Sequence, residues 1–228
     1  MIDNRFNKTL TIMLIVIGIA IVVALGFAGY DLIQKVYIDS NANEAVEEFD
    51  DKIAELDNDN KAENTVEDNG QSSDNSTNST KKSGNSSKKT SSQATMTYKG
   101  YNVVGKIQIP KTKANYPILS EATVSSMKVS VGIVYGPGVN EIGNTVLMGH
   151  NYRNGALFSN NKKLTNGDSI FITDMYGRKI EYIVYNMYET SSADFDYAVR
   201  TTNGKREISL ASCTDDSKSR LIIWAKEK

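Results

Sequence analysis

The chain holds one cysteine, Cys213, and one histidine, His150, and each closes a short apolar run: Ile208-Ser-Leu-Ala-Ser-Cys213 and Asn144-Thr-Val-Leu-Met-Gly-His150. Arg220 opens the next such run, Arg220-Leu-Ile-Ile-Trp-Ala-Lys226. A cysteine attacks as its thiolate, and a reference pKa of about 8.5 falls when an imidazolium or guanidinium stands nearby. His150 can supply that charge and later hand a proton to a leaving amine. Arg220, whose guanidinium stays protonated to above about pH 12, is no base, but it can donate hydrogen bonds to an oxyanion or to substrate carbonyls. The trio covers the nucleophile, acid and electrophile of an acyl-transfer enzyme. Singly, each residue has a plainer reading: a buried packing cysteine, a hydrogen-bonding histidine, a solvated arginine. One His and one Cys fall short of the three or four ligands that zinc takes, so neither metal nor cofactor is expected.

Elements that would bring the three together follow from the patterning. Short runs rich in Val, Ile, Tyr and Thr, separated by Gly, Asn and Asp, predict strands near 102–108, 115–119, 133–135, 145–149, 169–173, 179–189, 206–212 and 221–226. Eight short strands predict a mainly β domain, a closed barrel or a sandwich. Asp174-Met-Tyr-Gly-Arg178 reads as a hairpin turn, with Gly177 supplying the positive backbone angle. The polar stretch from Ser191 to Lys205 reads as a long loop that walls a substrate site or is an idle excursion. Because side chains alternate along a strand, pairing Cys213 with Arg220 sets Ala211 opposite Ile222 and Ser209 opposite Trp224. Cysteine and arginine then share a face above small and apolar residues, as in a groove for an extended peptide.

Residues 10–30, LTIMLIVIGIAIVVALGFAGY, carry no charge and are long enough for the roughly 30 Å of bilayer hydrocarbon. A cleaved signal needs a shorter apolar core and a better small-x-small site than Gly26-Phe-Ala-Gly-Tyr30 offers, so an uncleaved anchor is expected. Arg5 and Lys8 before it, against Asp31, Asp39, Glu44, Glu47 and Glu48 after it, place residues 1–9 in the cytoplasm and the rest outside. Val46, Phe49, Ile53 and Leu56 recur at helical spacing, which predicts a solvated juxtamembrane helix. A polar tether rich in Asn, Ser, Thr and Lys follows and completes a segment spanning 31–96. The folded domain is 97–228. With a net charge of −1 and no basic stripe interleaved with aromatics, nucleic acid is not an expected partner.

Several stretches resemble the sortases of Gram-positive bacteria. Gly149-His150-Asn151, Gly155-Ala-Leu-Phe158 and Leu164-Thr-Asn-Gly-Asp168 resemble the segment around the family's catalytic histidine. Ser209-Leu-Ala-Ser-Cys213-Thr214, with Arg220 downstream, is similar to the family's Thr-Leu-x-Thr-Cys motif and its arginine, serine standing where threonine is favoured. Val104-Gly-Lys-Ile-Gln-Ile-Pro110 and Asn115-Tyr-Pro-Ile118 resemble its first two strands. The resemblance implies an eight-stranded sortase barrel with Cys213, His150 and Arg220 as catalytic residues, and Met148, Ala211, Ser212 and Ile222 as substrate-binding positions. It implies a transpeptidase that cleaves a Leu-Pro-x-Thr-Gly-like sorting signal on surface proteins and passes them to an amine, usually of a peptidoglycan precursor. Class A-like and class D-like single-anchor enzymes fit best, and calcium is not expected. A membrane-tethered β-domain that binds a wall component, with Cys213 as packing, is the non-enzymatic alternative.

Overall fold

The computed structural model describes the backbone of residues 4–64 and 94–228 and the side chains of 8–58 and 94–228. Most of the Ser/Asn/Lys-rich tether, residues 65–93, lies outside the described residues. Nine strands follow in chain order: β1 (Thr97–Tyr98), β2 (Tyr101–Ile109), β3 (Ala114–Leu119), β4 (Val131–Tyr135), β5 (Gly143–Met148), β6 (Ser169–Asp174), β7 (Lys179–Ser191), β8 (Arg206–Cys213) and β9 (Ser219–Glu227). They are hydrogen-bonded in the order β1-β2-β3-β4-β5-β8-β9-β7-β6, and β6 pairs back onto β2. Strands β2 to β9 therefore close an eight-stranded mixed barrel, and the two-residue β1 is an added flap on β2. Each of the eight strands expected from patterning is present.

The barrel interior is filled by alternate residues of these strands, among them Ile107, Ile118, Leu147, Ile170, Leu210 and Ile223, all 1% exposed or less. Two of the pairings are parallel, β3 with β4 and β5 with β8. The second matters most here, because it sends β5 and β8 out of the barrel at the same end. Gly177, with φ +80°, makes the β6–β7 hairpin at the opposite end.

A single helix, α1 (Asn4–Asn64), carries the apolar segment and runs on without a break into the acidic one. It is the one helix among the described residues that is long and apolar enough to cross a membrane. Beyond the apolar part the helix is not solvated as expected. Ile38, Ala42, Ala45, Val46 and Phe49 recur on one face, and all are buried against the barrel. Phe49, Ile53 and Leu56 pack with Tyr98, Val103, Leu119 and Met175 on the barrel's outer wall. Burying a phenylalanine alone stabilises such a contact by about 1.5–3 kcal/mol, and Lys106 adds an ion pair to Asp50. Ala94 and Met96, just before β1, belong to the same cluster.

Candidate active site

Cys213 is the last residue of β8 and Arg220 lies at the start of β9, and the two are directly paired across the hairpin. The register is the one side-chain alternation predicts, with Ala211 opposite Ile222 and Ser209 opposite Trp224. A tight turn fixes the hairpin: Thr214 N–H donates to Ser219 O at 3.0 Å, and its hydroxyl donates to Asp216 at 2.6 Å.

His150 arrives from the neighbouring strand. In the parallel β5–β8 pair Met148 stands beside Ala211, and Gly149 N–H extends the ladder to Ala211 O at 3.2 Å. His150 follows two residues after the end of β5, at the end of the barrel where Cys213 closes β8. The turn after it is stitched to the cysteine strand, since Asn151 Nδ2 donates to Cys213 O at 3.0 Å and to Asp215 at 2.9 Å. Phe158 N–H closes the loop onto His150 O at 3.0 Å. A Cβ at residue 149 would lie 2.9 Å from the Phe158 ring, so glycine is needed there for the loop to fold back. The imidazole is half-buried, with the Tyr152 ring 4.9 Å away. Burial, and secondarily the Lys128 ammonium, hold its pKa below the ordinary 6.5.

The Arg220 guanidinium is held at the rim by Nε donating to Ser192 O at 3.2 Å, with one terminal nitrogen 3.7 Å from Met148 Sδ. Met148, Ala211 and Ile222 form one cluster with Val146, Val134 and Trp224 on the Cys213 face. Ser212 is not among them. Alternation turns it to the other face of β8, and at the end of that strand Ser212, Cys213, Asn151, Phe158 and Glu189 line a cavity of about 320 Å³.

The loop from Ser191 to Lys205 is not idle, for it lies on the cluster. Tyr197 and Ala198 cover Ala211 and Ile222, which are completely buried. Asn144 Nδ2 holds the loop by donating to Tyr197 O at 3.2 Å and Ala198 O at 3.0 Å. Arg200 stacks 4.7 Å from the Trp224 ring and is ion-paired to Glu207. Lys128 thus joins the site, although the sequence alone assigned it no part there, while Asn151 and Tyr197 were read only as members of the histidine segment and of the 191–205 loop. Asn151 had a signal, since it follows the only histidine. Among the described residues no group of three or more His, Cys, Asp or Glu is arranged to hold a metal ion.

A closed eight-stranded mixed barrel with cysteine, histidine and arginine at one mouth defines a small class of proteins. The sortase domain family matches residues 107–228, and the chain belongs to the sortase family. Sortase A of Bacillus anthracis is 31% identical over 124 residues, which are 53% of this chain and 58% of that protein. The chain thus spans little more than half the length of that curated relative. Among solved structures, sortase A from Corynebacterium diphtheriae is 25% identical with a TM-score of 0.51, over 56% of this chain and 61% of that one. A sortase D5 transpeptidase from Clostridium perfringens is 26% identical with a TM-score of 0.50, over 55% and 79%. Sortase C1 of Streptococcus agalactiae is 25% identical at 0.51, over 55% and 69%. With A, C and D designations at equal likeness, the fold does not select a subclass.

Proposed function

We infer that this chain is a membrane-anchored cysteine transpeptidase. The observation that carries the reading is that the chain's one histidine lies just past the end of β5, in a loop bonded to the strand that ends in its one cysteine, with a guanidinium paired directly across from the thiol. The resemblance to sortases supplies the substrate class, a Leu-Pro-x-Thr-Gly-like sorting signal on a surface protein. Cys213 Sγ, as thiolate, adds to the threonine carbonyl carbon, and the Arg220 guanidinium donates to the oxygen that becomes negative. The C–N bond to glycine breaks, the departing nitrogen takes the proton of the His150 imidazolium, and a thioester remains. An accepting amine attacks the thioester and loses its proton to the now neutral His150. Sγ leaves as thiolate, and the surface protein is joined to a cell-wall precursor.

The same reading makes residues 10–30 of α1 a single membrane span, with residues 1–9 cytoplasmic and the barrel outside. Met148, Ala211 and Ile222 serve as the groove floor once Tyr197 moves aside. Ser212 contributes from the far face of β8, through the position it gives Cys213.

Incubating the full chain in detergent with Leu-Pro-x-Thr-Gly peptides and an amine should yield a transpeptidation product and a thioester adduct on Cys213 visible by intact mass. Cys213→Ala should remove both. Absence of any adduct across a peptide library, in protein whose thiol is freely alkylated, would overturn the reading in favour of a binding domain.

A further inference from the structure

The docked helix sets which end of the barrel lies nearest the apolar segment of α1. At one end of the contact, Asn154 Nδ2 donates to Asp31 O at 3.2 Å and to Gln34 Oε1 at 3.3 Å. Gly155 lies so close that an added Cβ would be 3.1 Å from Lys35 Cε. These residues belong to the turn that follows His150. At the other end, Ile53 reaches Gly177, where an added Cβ would be 3.1 Å from it, and Gly177 is the tip of the hairpin at the far pole. Between residues 31 and 53 the helix rises about 33 Å at 1.5 Å per residue, so it runs the height of the barrel. Tyr116 ties the middle, donating to Asp39 at 2.6 Å and accepting from Leu157 N–H at 2.9 Å.

The apolar run ends at Tyr30, yet Leu32, Ile33 and Val36 remain 59–70% exposed on the helix face turned from the barrel, and Tyr37, 63% exposed, lies beside them with the Lys99 ammonium over its ring. Large apolar and aromatic side chains just past a span suit the headgroup layer, where tyrosine is enriched. That layer is roughly 5–8 Å deep on each side, and residues 30–37 rise about 10 Å. The barrel pole begins level with residues 31–35, hence within the same layer. Around that pole stand Lys128, Arg153, Lys163 and Lys218, all exposed and, among the described residues, without a carboxylate ion-pair partner. The pole's Asp168 and Asp215 are ion-paired to Lys111 and Lys162, while Glu189, Asp194 and Asp196 stand beside Cys213 and Arg220, so cations and carboxylates are balanced there. Asp216 accepts from Thr214, and Asp31 stands at the helix edge.

We propose that the barrel pole bearing Cys213, His150 and Arg220 rests at the headgroup layer of the membrane, held there by helix residues 31–57, and that the site is served along the membrane surface. This rests on residues 10–30 being a span.

The test uses the full chain in nanodiscs containing phosphatidylglycerol and a trace of acceptor-labelled lipid. A donor is attached to Cys213 in one sample, and in another to Lys205→Cys, at the far pole, in a Cys213→Ala background. Energy transfer should be several-fold greater from position 213. Equal or reversed transfer would overturn the proposal. A chain that fails to co-elute with discs shows that the span reading has failed, a result distinct from either transfer outcome.

Discussion

The side-chain amide of Asn151 donates to the backbone carbonyl of Cys213 at 3.0 Å, which joins the histidine loop to the cysteine strand. The same amide reaches Asp215 at 2.9 Å, so one residue spans the gap between two loops. Asn151→Ala removes both bonds without touching the thiol or the imidazole. Misplacement of reacting groups by about 1 Å can cost on the order of 100-fold, and a loss of about 10-fold to 100-fold in acyl-enzyme formation is expected. Alkylation of Cys213 by iodoacetamide, which needs no alignment with His150, should change far less. Equal falls in the two rates would show that Asn151 acts on the thiol and not on alignment.

His150 is the only histidine, so its ring resonances give an unambiguous titration. Burial and the Lys128 ammonium both disfavour the imidazolium. Lys128→Gln removes the second effect and should raise the imidazole pKa toward 6.5 without reaching it, since burial is the larger cause. The acid limb of the pH–rate profile should move the same way. The sign for stability also follows. A folded-state pKa below the unfolded value means the unfolded chain binds the proton more readily, so the contribution of the neutral imidazole is fully present above about pH 6.5 and is lost as pH falls through the folded pKa. Denaturation midpoints should therefore drop on acidification from pH 7 to 5 less steeply in His150→Gln than in the parent protein.

Tyr116 accepts from Leu157 N–H while donating to Asp39, and burial with the adjoining carboxylate pushes its phenol far above the ordinary range. Tyr116→Phe leaves a buried N–H without its acceptor, at a cost of about 1–3 kcal/mol. The expected result is a lower unfolding midpoint together with faster hydrogen exchange at Leu157 and in helix residues 35–45. Exchange that quickens in only one of these two segments would show that helix and loop are not coupled through the phenol.

The barrel and the pairing of Cys213 with Arg220 were legible because strand periodicity and hairpin register are local properties, fixed by alternation and by the 214–218 turn. The docking of the juxtamembrane helix was only half legible. Val46, Phe49, Ile53 and Leu56 announced an apolar stripe, but its partner surface is assembled from Tyr98, Val103, Leu119 and Met175, which are brought together only when the barrel closes. Small residues hid the rest, since Ala42 and Ala45 read as neutral and yet are the positions that let the helix approach. Tyr197 lay beyond reach for a different reason. It sits in an irregular loop, where no period predicts direction, and its hydroxyl is buried without a hydrogen-bond partner. Its ring packs over Ala211 and Ile222, and its backbone carbonyl accepts from Asn144.

That last point yields a prediction about access to the groove. Tyr197→Phe deletes the unsatisfied hydroxyl and keeps the ring over Ala211 and Ile222, so the protein should be as stable or more so, with the loop harder to displace and KM for peptide raised. Tyr197→Ala uncovers the floor, with lower stability by about 3–5 kcal/mol if the seat does not collapse. Dye binding to the uncovered apolar floor should rise in the alanine variant. If both variants bind peptide as the parent does, Tyr197 does not lie in the substrate's path.

Arg220 allows charge to be separated from geometry. Its Nε is occupied by Ser192 O at 3.2 Å, while a terminal nitrogen rests 3.7 Å from Met148 Sδ, a weak acceptor that a carbonyl or oxyanion would displace. If only a positive charge beside Cys213 were required, Arg220→Lys would substitute well. A lysine ammonium is a compact point charge, however, and cannot hold Ser192 and a substrate oxygen in one rigid fork. Loss of an oxyanion donor typically costs about 100-fold to 1,000-fold in rate, and a loss of that order in peptide cleavage is expected for Arg220→Lys. Iodoacetamide alkylation of Cys213 develops no oxyanion and should fall much less. Both rates are to be measured across pH for the two proteins. Parallel losses would show that Arg220 acts chiefly on the thiolate, and near-normal cleavage by the lysine variant would remove the hydrogen-bonding role.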